Sequence, residues 1–126
     1  MRHDIGIAFF GIILIATSPG LARAAGDAQA GEAVFKKNCA VCHTTEQGKN
    51  KIGPSLFGVV GRHSASIADY SYSDAMKKAD KTWDDQTLDA YLANPRAVVA
   101  GTKMIFVGLK SEDDRKNIIA FLESQK

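Results

Sequence analysis

Cys39-Ala40-Val41-Cys42-His43 is the stretch on which the reading of this sequence turns. Two thiols at this spacing can add to the two vinyl groups of one haem, and the adjacent imidazole is then held beneath the iron as an axial ligand. Three other chemistries use the same residue types: a thioredoxin-like redox pair, part of a zinc site, and a disulfide or pair of buried thiols. A redox pair expects a strand before the motif, whereas the residues leading into this one read as helix. Zinc needs a fourth ligand, and the sequence has no further cysteine. Covalent attachment of one haem c at Cys39 and Cys42, with His43 on the iron, is the reading that uses all three residues in order.

Upstream of the motif, Arg2 and His3 precede an apolar run from Ile5 to Ala16, Pro19-Gly20 breaks it, and Ala22-Arg23-Ala24 presents small residues in an A-x-A arrangement. The run is about a dozen residues where a membrane-spanning helix needs ~20, so residues 1–24 read as a secretory signal peptide cut after Ala24, and the periplasm as the place of action. Residues 25–126 then form one domain, in keeping with the 126-residue length. With 45% apolar and 24% charged residues, the composition is that of a folded chain. Removing Arg2, Arg23 and Asp4 changes the net charge from +2 to +1, which excludes the strongly basic balance of a nucleic-acid binder.

The mature stretch has a thin core. Of the 43 apolar residues in 25–126, 14 are alanine, leaving 29 with side chains large enough to fill an interior. Ordering about 100 residues costs on the order of 100–200 kcal/mol of conformational entropy, so a bound apolar cofactor would be a substantial supplement.

Downstream, the elements are short. Asp27 caps a helix carrying Gly31, Val34 and Phe35 on one face, with Lys36 and Lys37 in its last turn and an end near Asn38. Gly53, Pro54, Gly58 and Gly61 punctuate the following stretch, and 44–72 is expected to be an ordered loop. A short helix from Ser73 to Ala79 follows. Another begins around Thr82 to Asp84, carries Leu88, Tyr91 and Leu92, and stops at Asn94 because Pro95 disfavours α geometry in the residue before it. Residues 95–110 read as a second loop. Ser111-Glu112-Asp113-Asp114 resembles a capping box, with three acids at the positive end of the dipole, and leads into Ile118, Phe121 and Leu122. The fold class is all-α, with two long loops that are expected to wrap something.

The far face of the iron needs a ligand. Met76 lies on the short helix and reads as core filler. Met104 lies in Gly101-Thr102-Lys103-Met104-Ile105-Phe106-Val107-Gly108-Leu109, a glycine-bounded apolar loop far in sequence from His43 that is expected to be covered as it closes over the ring.

The mature stretch resembles the class I cytochromes c, closest to the mitochondrial type and the small bacterial cytochromes c-two. The resemblance covers residues 27–126. It rests on Gly31 with Phe35, the Cys39 to His43 motif, Gly53-Pro54-Ser55-Leu56, Gly61-Arg62, Tyr72-Ser73-Asp74-Ala75, Trp83, Tyr91-Leu92-Ala93-Asn94-Pro95 and Gly101 to Phe106. It implies thioethers at Cys39 and Cys42, His43 and Met104 as axial ligands, the Pro54 carbonyl as acceptor for the His43 ring N–H, and Arg62, Tyr72 and Trp83 around a buried propionate. It further implies Tyr91, Thr102 and Phe106 in the wall around the ring, and close packing of Gly31 near Phe121. Two positions depart from the pattern: Met76 replaces an asparagine of the mitochondrial proteins, and Asn38 replaces a frequent lysine.

The resemblance implies a monomeric one-electron carrier that exchanges electrons with proteins such as a cytochrome bc complex, a terminal oxidase or a photosynthetic reaction centre, and meets membranes only through them. Charge supports docking: Lys36, Lys37, Lys49, Lys51 and Arg62 oppose only Glu46 within 33–62, and Lys103 and Lys110 follow Gly101, while residues 63–102 carry four basic and six acidic groups. Lys37, Lys49, Lys51, Lys103 and Lys110 are the candidate docking residues. A haem enzyme such as a peroxidase, or a gas-binding sensor, would need an open iron position, for which the sequence supplies no substrate-building insertion.

Overall fold

The computed structural model describes residues 26–126, and the expected signal peptide, residues 1–24, lies outside them. Five helices follow in order: α1 Ala28–Asn38, α2 Asp74–Lys78, α3 Asp85–Ala93, α4 Pro95–Val98 and α5 Glu112–Glu123. Among the described residues, extended pairing is limited to one bridge between His63 and Thr82. The all-α expectation holds. None of the described helices is long and apolar enough to cross a membrane.

Short polar side chains set the helix starts. The Asp27 carboxylate accepts from the Gln29 and Ala30 N–H groups at 2.9 and 3.3 Å, Ser73 from Met76 at 3.1 Å, and Asp84 from Thr87 at 2.8 Å. The bond from Thr87 holds the Asp84 carboxyl below the usual carboxylate range. Ser111 accepts from Asp114 at 3.2 Å, the hydroxyl half of the expected capping box.

Helix α4 corrects the reading of 95–110 as loop throughout. The Asn94 side chain accepts from the Ala97 N–H at 3.3 Å, and Pro95 sits at the first helical position, where a missing N–H costs nothing and its fixed φ suits the helix. The Asn-Pro pair that stops α3 therefore also starts α4.

The two ends of the domain pack together. A Cβ on Gly31 would lie 1.9 Å from the Asn117 carbonyl oxygen and 2.8 Å from the Phe121 Cβ, so α1 and α5 approach where only glycine fits. Phe35 and Phe121 meet at a tilt of 44° with 5.4 Å between centroids, and the Asp27 N–H donates to the Asn117 side chain at 2.8 Å. Arg115 then ties α5 to the rest of the chain. Its Nε donates to Asp89 on α3 at 2.8 Å, and one amino group donates to the Leu109 and Lys110 carbonyls, each at 3.0 Å. Gly31→Leu is expected to destabilise the holoprotein by at least ~2 kcal/mol in chemical denaturation, because the added side chain meets backbone that cannot move aside. An unchanged midpoint would mean that the helices do not approach this closely.

A second correction concerns residues 101–110. Thr102, Met104 and Phe106 are partly buried, while Ile105 and Val107 are 93% and 84% exposed. Burial alternates along 102–107, so Ile105 and Val107, two of the five large apolar side chains in 101–110, face solvent rather than being covered.

Candidate functional site

The loops and helices enclose a largely apolar cavity of about 480 Å³, within the range of cofactor sites. Leu56, Val59, Leu88, Leu92 and Leu122 supply apolar wall. The eleven residues expected around the cofactor, Cys39, Cys42, His43, Pro54, Arg62, Tyr72, Trp83, Tyr91, Thr102, Met104 and Phe106, all border this one space.

The thiols come from a tight turn that continues α1. Cys39 N–H donates to the Phe35 carbonyl at 2.8 Å, and the N–H groups of Cys42 and His43 donate to the Cys39 carbonyl at 3.0 and 2.9 Å, so one turn delivers all three side chains. Burial first, and the neighbouring Cys42 second, push the Cys39 thiol up to about 11. A redox pair or metal thiolate works with a lowered thiol pKa; this environment favours the neutral sulfur of a thiol or thioether. Among the described residues, no group of three or more His, Cys, Asp or Glu side chains is placed to hold a metal ion.

His43 is fixed from two sides. Its Nδ1 donates to the Pro54 carbonyl at 2.7 Å, which leaves Nε2 as the free, basic nitrogen. Burial lowers its pKa, the Pro54 bond opposes this, and Arg62 and Lys51 add to the lowering, so the neutral ring is favoured. Sequence reasoning missed the second side. A Cβ on Gly53 would lie 2.3 Å from His43 Cε1, so the imidazole rests directly on Gly53 backbone. Gly53 reads in the sequence as loop punctuation; its position just before the acceptor carbonyl of Pro54 was the available signal.

On the lining of the same cavity, the Tyr91 hydroxyl reaches the Met104 sulfur at 3.9 Å and Thr102 Oγ1 at 3.5 Å, and Thr102 Oγ1 accepts from the Met104 N–H at 3.3 Å. Burial raises the Tyr91 pKa and the Thr102 contact lowers it, the net direction being up, so Tyr91 remains a hydroxyl donor. Met76 also borders the cavity while packing on the core. It is therefore wall as well as filler, and among the described residues no hydrogen bond to its sulfur matches the one to Met104.

The polar end is built from Arg62, Tyr72 and Trp83. Two guanidinium nitrogens of Arg62 donate to the Phe57 and Ser55 carbonyls at 2.9 and 3.0 Å, which orients the group and leaves further N–H donors. Burial lowers the Arg62 pKa, with Tyr72 opposing, and the group stays charged. Trp83 is buried against Tyr91 at 4.9 Å between centroids. His63, also on the lining, bonds Asp80 at 2.9 Å and bridges to Thr82, closing this end; the Asp80 bond raises its pKa.

A family model described as cytochrome c matches residues 28–126. The chain is 50% identical over 101 residues to cytochrome c of Arabidopsis thaliana, covering 79% of this chain and 90% of that protein. It is 49% identical over 122 residues to cytochrome c2 of Rhodomicrobium vannielii, covering 96% and 95%. This chain belongs to the cytochrome c family. Cytochromes c carry one covalently bound haem c with iron and are electron carriers, not enzymes. The residues present fit that group: two neutral sulfurs, an imidazole with a fixed tautomer, a thioether on the same lining, apolar walls and a set of polar donors.

The lysines of this cytochrome c separate into two sets. Lys103 borders the cavity; Lys51 donates to the Ala40 carbonyl at 2.5 Å, and Lys49 pairs with Glu46, which offsets its charge locally. Lys37 lies in the last turn of α1, two residues before Cys39, and Lys110 ends the Met104 segment just before α5. Exposed Val41, Ile52, Ile105 and Val107 belong to the segments that carry Cys39, Gly53 and Met104.

Proposed function

We propose that this chain is a periplasmic one-electron carrier whose haem is bonded at Cys39 and Cys42 and ligated by His43 and Met104. The observation that carries the reading is the convergence of these four residues on one cavity, with Pro54 holding the imidazole and Tyr91 the thioether. When bound, haem c supplies a couple between ferrous and ferric iron. The protein's own residues do the rest. Pro54 fixes Nε2 as the ligating nitrogen, Gly53 keeps the ring close to backbone, and Tyr91 polarises the Met104 sulfur. Arg62, Tyr72 and Trp83 are donors for a propionate that would be costly to bury unpaired. The apolar walls exclude water, so little solvent must reorganise as charge changes. With His43 and Met104 both holding the iron, the thioether would raise the potential relative to harder ligands.

Export is supported by the n-region, apolar run and A-x-A site, and by the 122-residue match to the Rhodomicrobium protein, which is longer than the described stretch and so reaches into the leader. Mass spectrometry of protein from a host with haem-attachment machinery should give residues 25–126 plus one haem. A free-thiol mass would sink the proposal.

Partners are acidic redox proteins of an electron-transport chain, met through the lysine-bearing face. Lys37→Glu and Lys110→Glu are expected to slow electron transfer with an acidic partner by about three- to tenfold each at 0.01 M salt, and to lose the effect as the Debye length falls from ~30 Å to ~10 Å at 0.1 M. Lys116→Glu and Lys126→Glu serve as controls. Equal slowing by both pairs would mean that net charge, not this face, governs the encounter.

A further inference from the structure

We propose that Tyr70 is a positioning residue that straps the Met104 segment to the His43 segment across the rim of the cavity. Tyr70, Ile52 and Lys103 all border that rim. The Tyr70 hydroxyl donates to the Ile52 carbonyl at 2.7 Å, and Ile52 directly precedes Gly53 and Pro54, the two residues that fix His43. The Lys103 ammonium lies 4.6 Å from the centroid of the Tyr70 ring and donates to the carbonyl of Ser71, and Lys103 directly precedes Met104. Tyr72 meets Tyr70 edge-on at 4.8 Å, which holds the ring in place, and Asn50 donates to Asp69, tying the same two loops. One aromatic ring thus touches both segments on which the axial ligands ride.

The strap matters because the Met104 segment is otherwise held at its ends. Thr102 N–H donates to Val99 and Leu109 N–H to Leu92, at 3.1 and 2.7 Å, and Gly101 and Gly108 flank the segment with φ of +88° and +105°, conformations that glycine adopts without strain. Between those ends, the side-chain anchors include Thr102, which meets Tyr91 and accepts from the Met104 N–H, the Tyr91 contact to the sulfur, and the Lys103 grip on Tyr70 and Ser71. A cation over an aromatic face together with a charge-assisted bond to a carbonyl resists outward movement of Lys103, and with it Met104. Tyr70 therefore governs how often the thioether leaves.

This inference rests on Met104 being the sixth ligand, and the test separates the two. In the ferric holoprotein, the limiting rate of imidazole entry reports departure of the Met104 sulfur. Tyr70→Leu and Lys103→Ala are each expected to raise that rate by about tenfold, and the double variant by well under the product of the two, because they share one strap. Tyr70→Phe keeps the ring but loses the bond to Ile52, and should give a smaller rise with the long-wavelength thioether band and the denaturation midpoint unchanged. Rates within about twofold of the native protein, or singles that multiply in the double variant, overturn the proposal. So does a rise that only tracks a lower midpoint. If Tyr70→Leu fails to fold, Tyr70→Phe and Lys103→Ala decide by the same criteria. Met104→Ala in the same series must lose the band; if it does not, the ligand assignment fails, not the strap.

Discussion

Replacing Cys39 and Cys42 together by Ala is expected to yield a chain that neither retains haem nor holds this fold. The magnitude follows from the cavity. The haem-lacking chain would leave an apolar space of about 480 Å³ at its centre, far larger than the space left by any single large-to-small core substitution, each of which already costs about 2–5 kcal/mol against a domain stability of ~5–15 kcal/mol. A chain facing that cost collapses into something else. The walls at risk are Leu56, Val59, Leu88 and Leu92, with Leu122 of α5 reaching the same space, so the loss spreads from the site to the α1–α5 pairing. Far-ultraviolet circular dichroism should show reduced helix content, and the absorbance of bound haem should be missing. Native helix content in the haem-free variant would show that the protein core suffices on its own.

Met104→Ala is expected to produce the largest change in a protein that still folds. On the proposed attachment the thioethers at Cys39 and Cys42, His43 and the walls remain, so one haem should stay bound, while the sulfur held by Tyr91 is gone. The potential should fall, the weak band of thioether-to-ferric coordination should vanish, and cyanide should bind on the order of 100-fold more tightly, about 2.7 kcal/mol, because it no longer competes with a ligand tethered to the same chain. Met76→Ala should leave the band and the cyanide affinity near native. The reverse outcome would assign the thioether of α2 to the iron and reduce Met104 to wall.

Much of this is legible in the sequence because it is local. Asp27, Ser73, Asp84 and Ser111 each satisfy N–H groups two or three residues away, and the Cys39 to His43 motif fits within one turn. What is not legible depends on partners distant in the chain. Gly53 looks like any loop glycine until the His43 ring is found lying on it, and Tyr70 looks like surface until Ile52 and Lys103 arrive from opposite directions. Residues 102–107 show a third kind of failure. The alternation of Thr102, Met104 and Phe106 inward with Lys103, Ile105 and Val107 outward is present in the sequence, but isoleucine and valine on the solvent side mask it as a uniformly apolar run. The short α4 is hidden because Pro95 stops α3, while the same ring is equally suited to start a helix.

The pairing of α1 with α5 has a consequence for the order in which the molecule is completed. Asp27 and Asn117 are 90 positions apart, and closing a loop of that length costs about 4 kcal/mol in chain entropy, by (3/2)RT ln n, before any contact rewards it. The contact therefore forms late, once nearly the whole chain has been synthesised and, in an exported protein, threaded across the membrane. Until then the turn that carries Cys39, Cys42 and His43 hangs from a helix with no partner and is open to whatever machinery joins haem to it. The wide separation of the two helices in sequence delays closure and so leaves an assembly window.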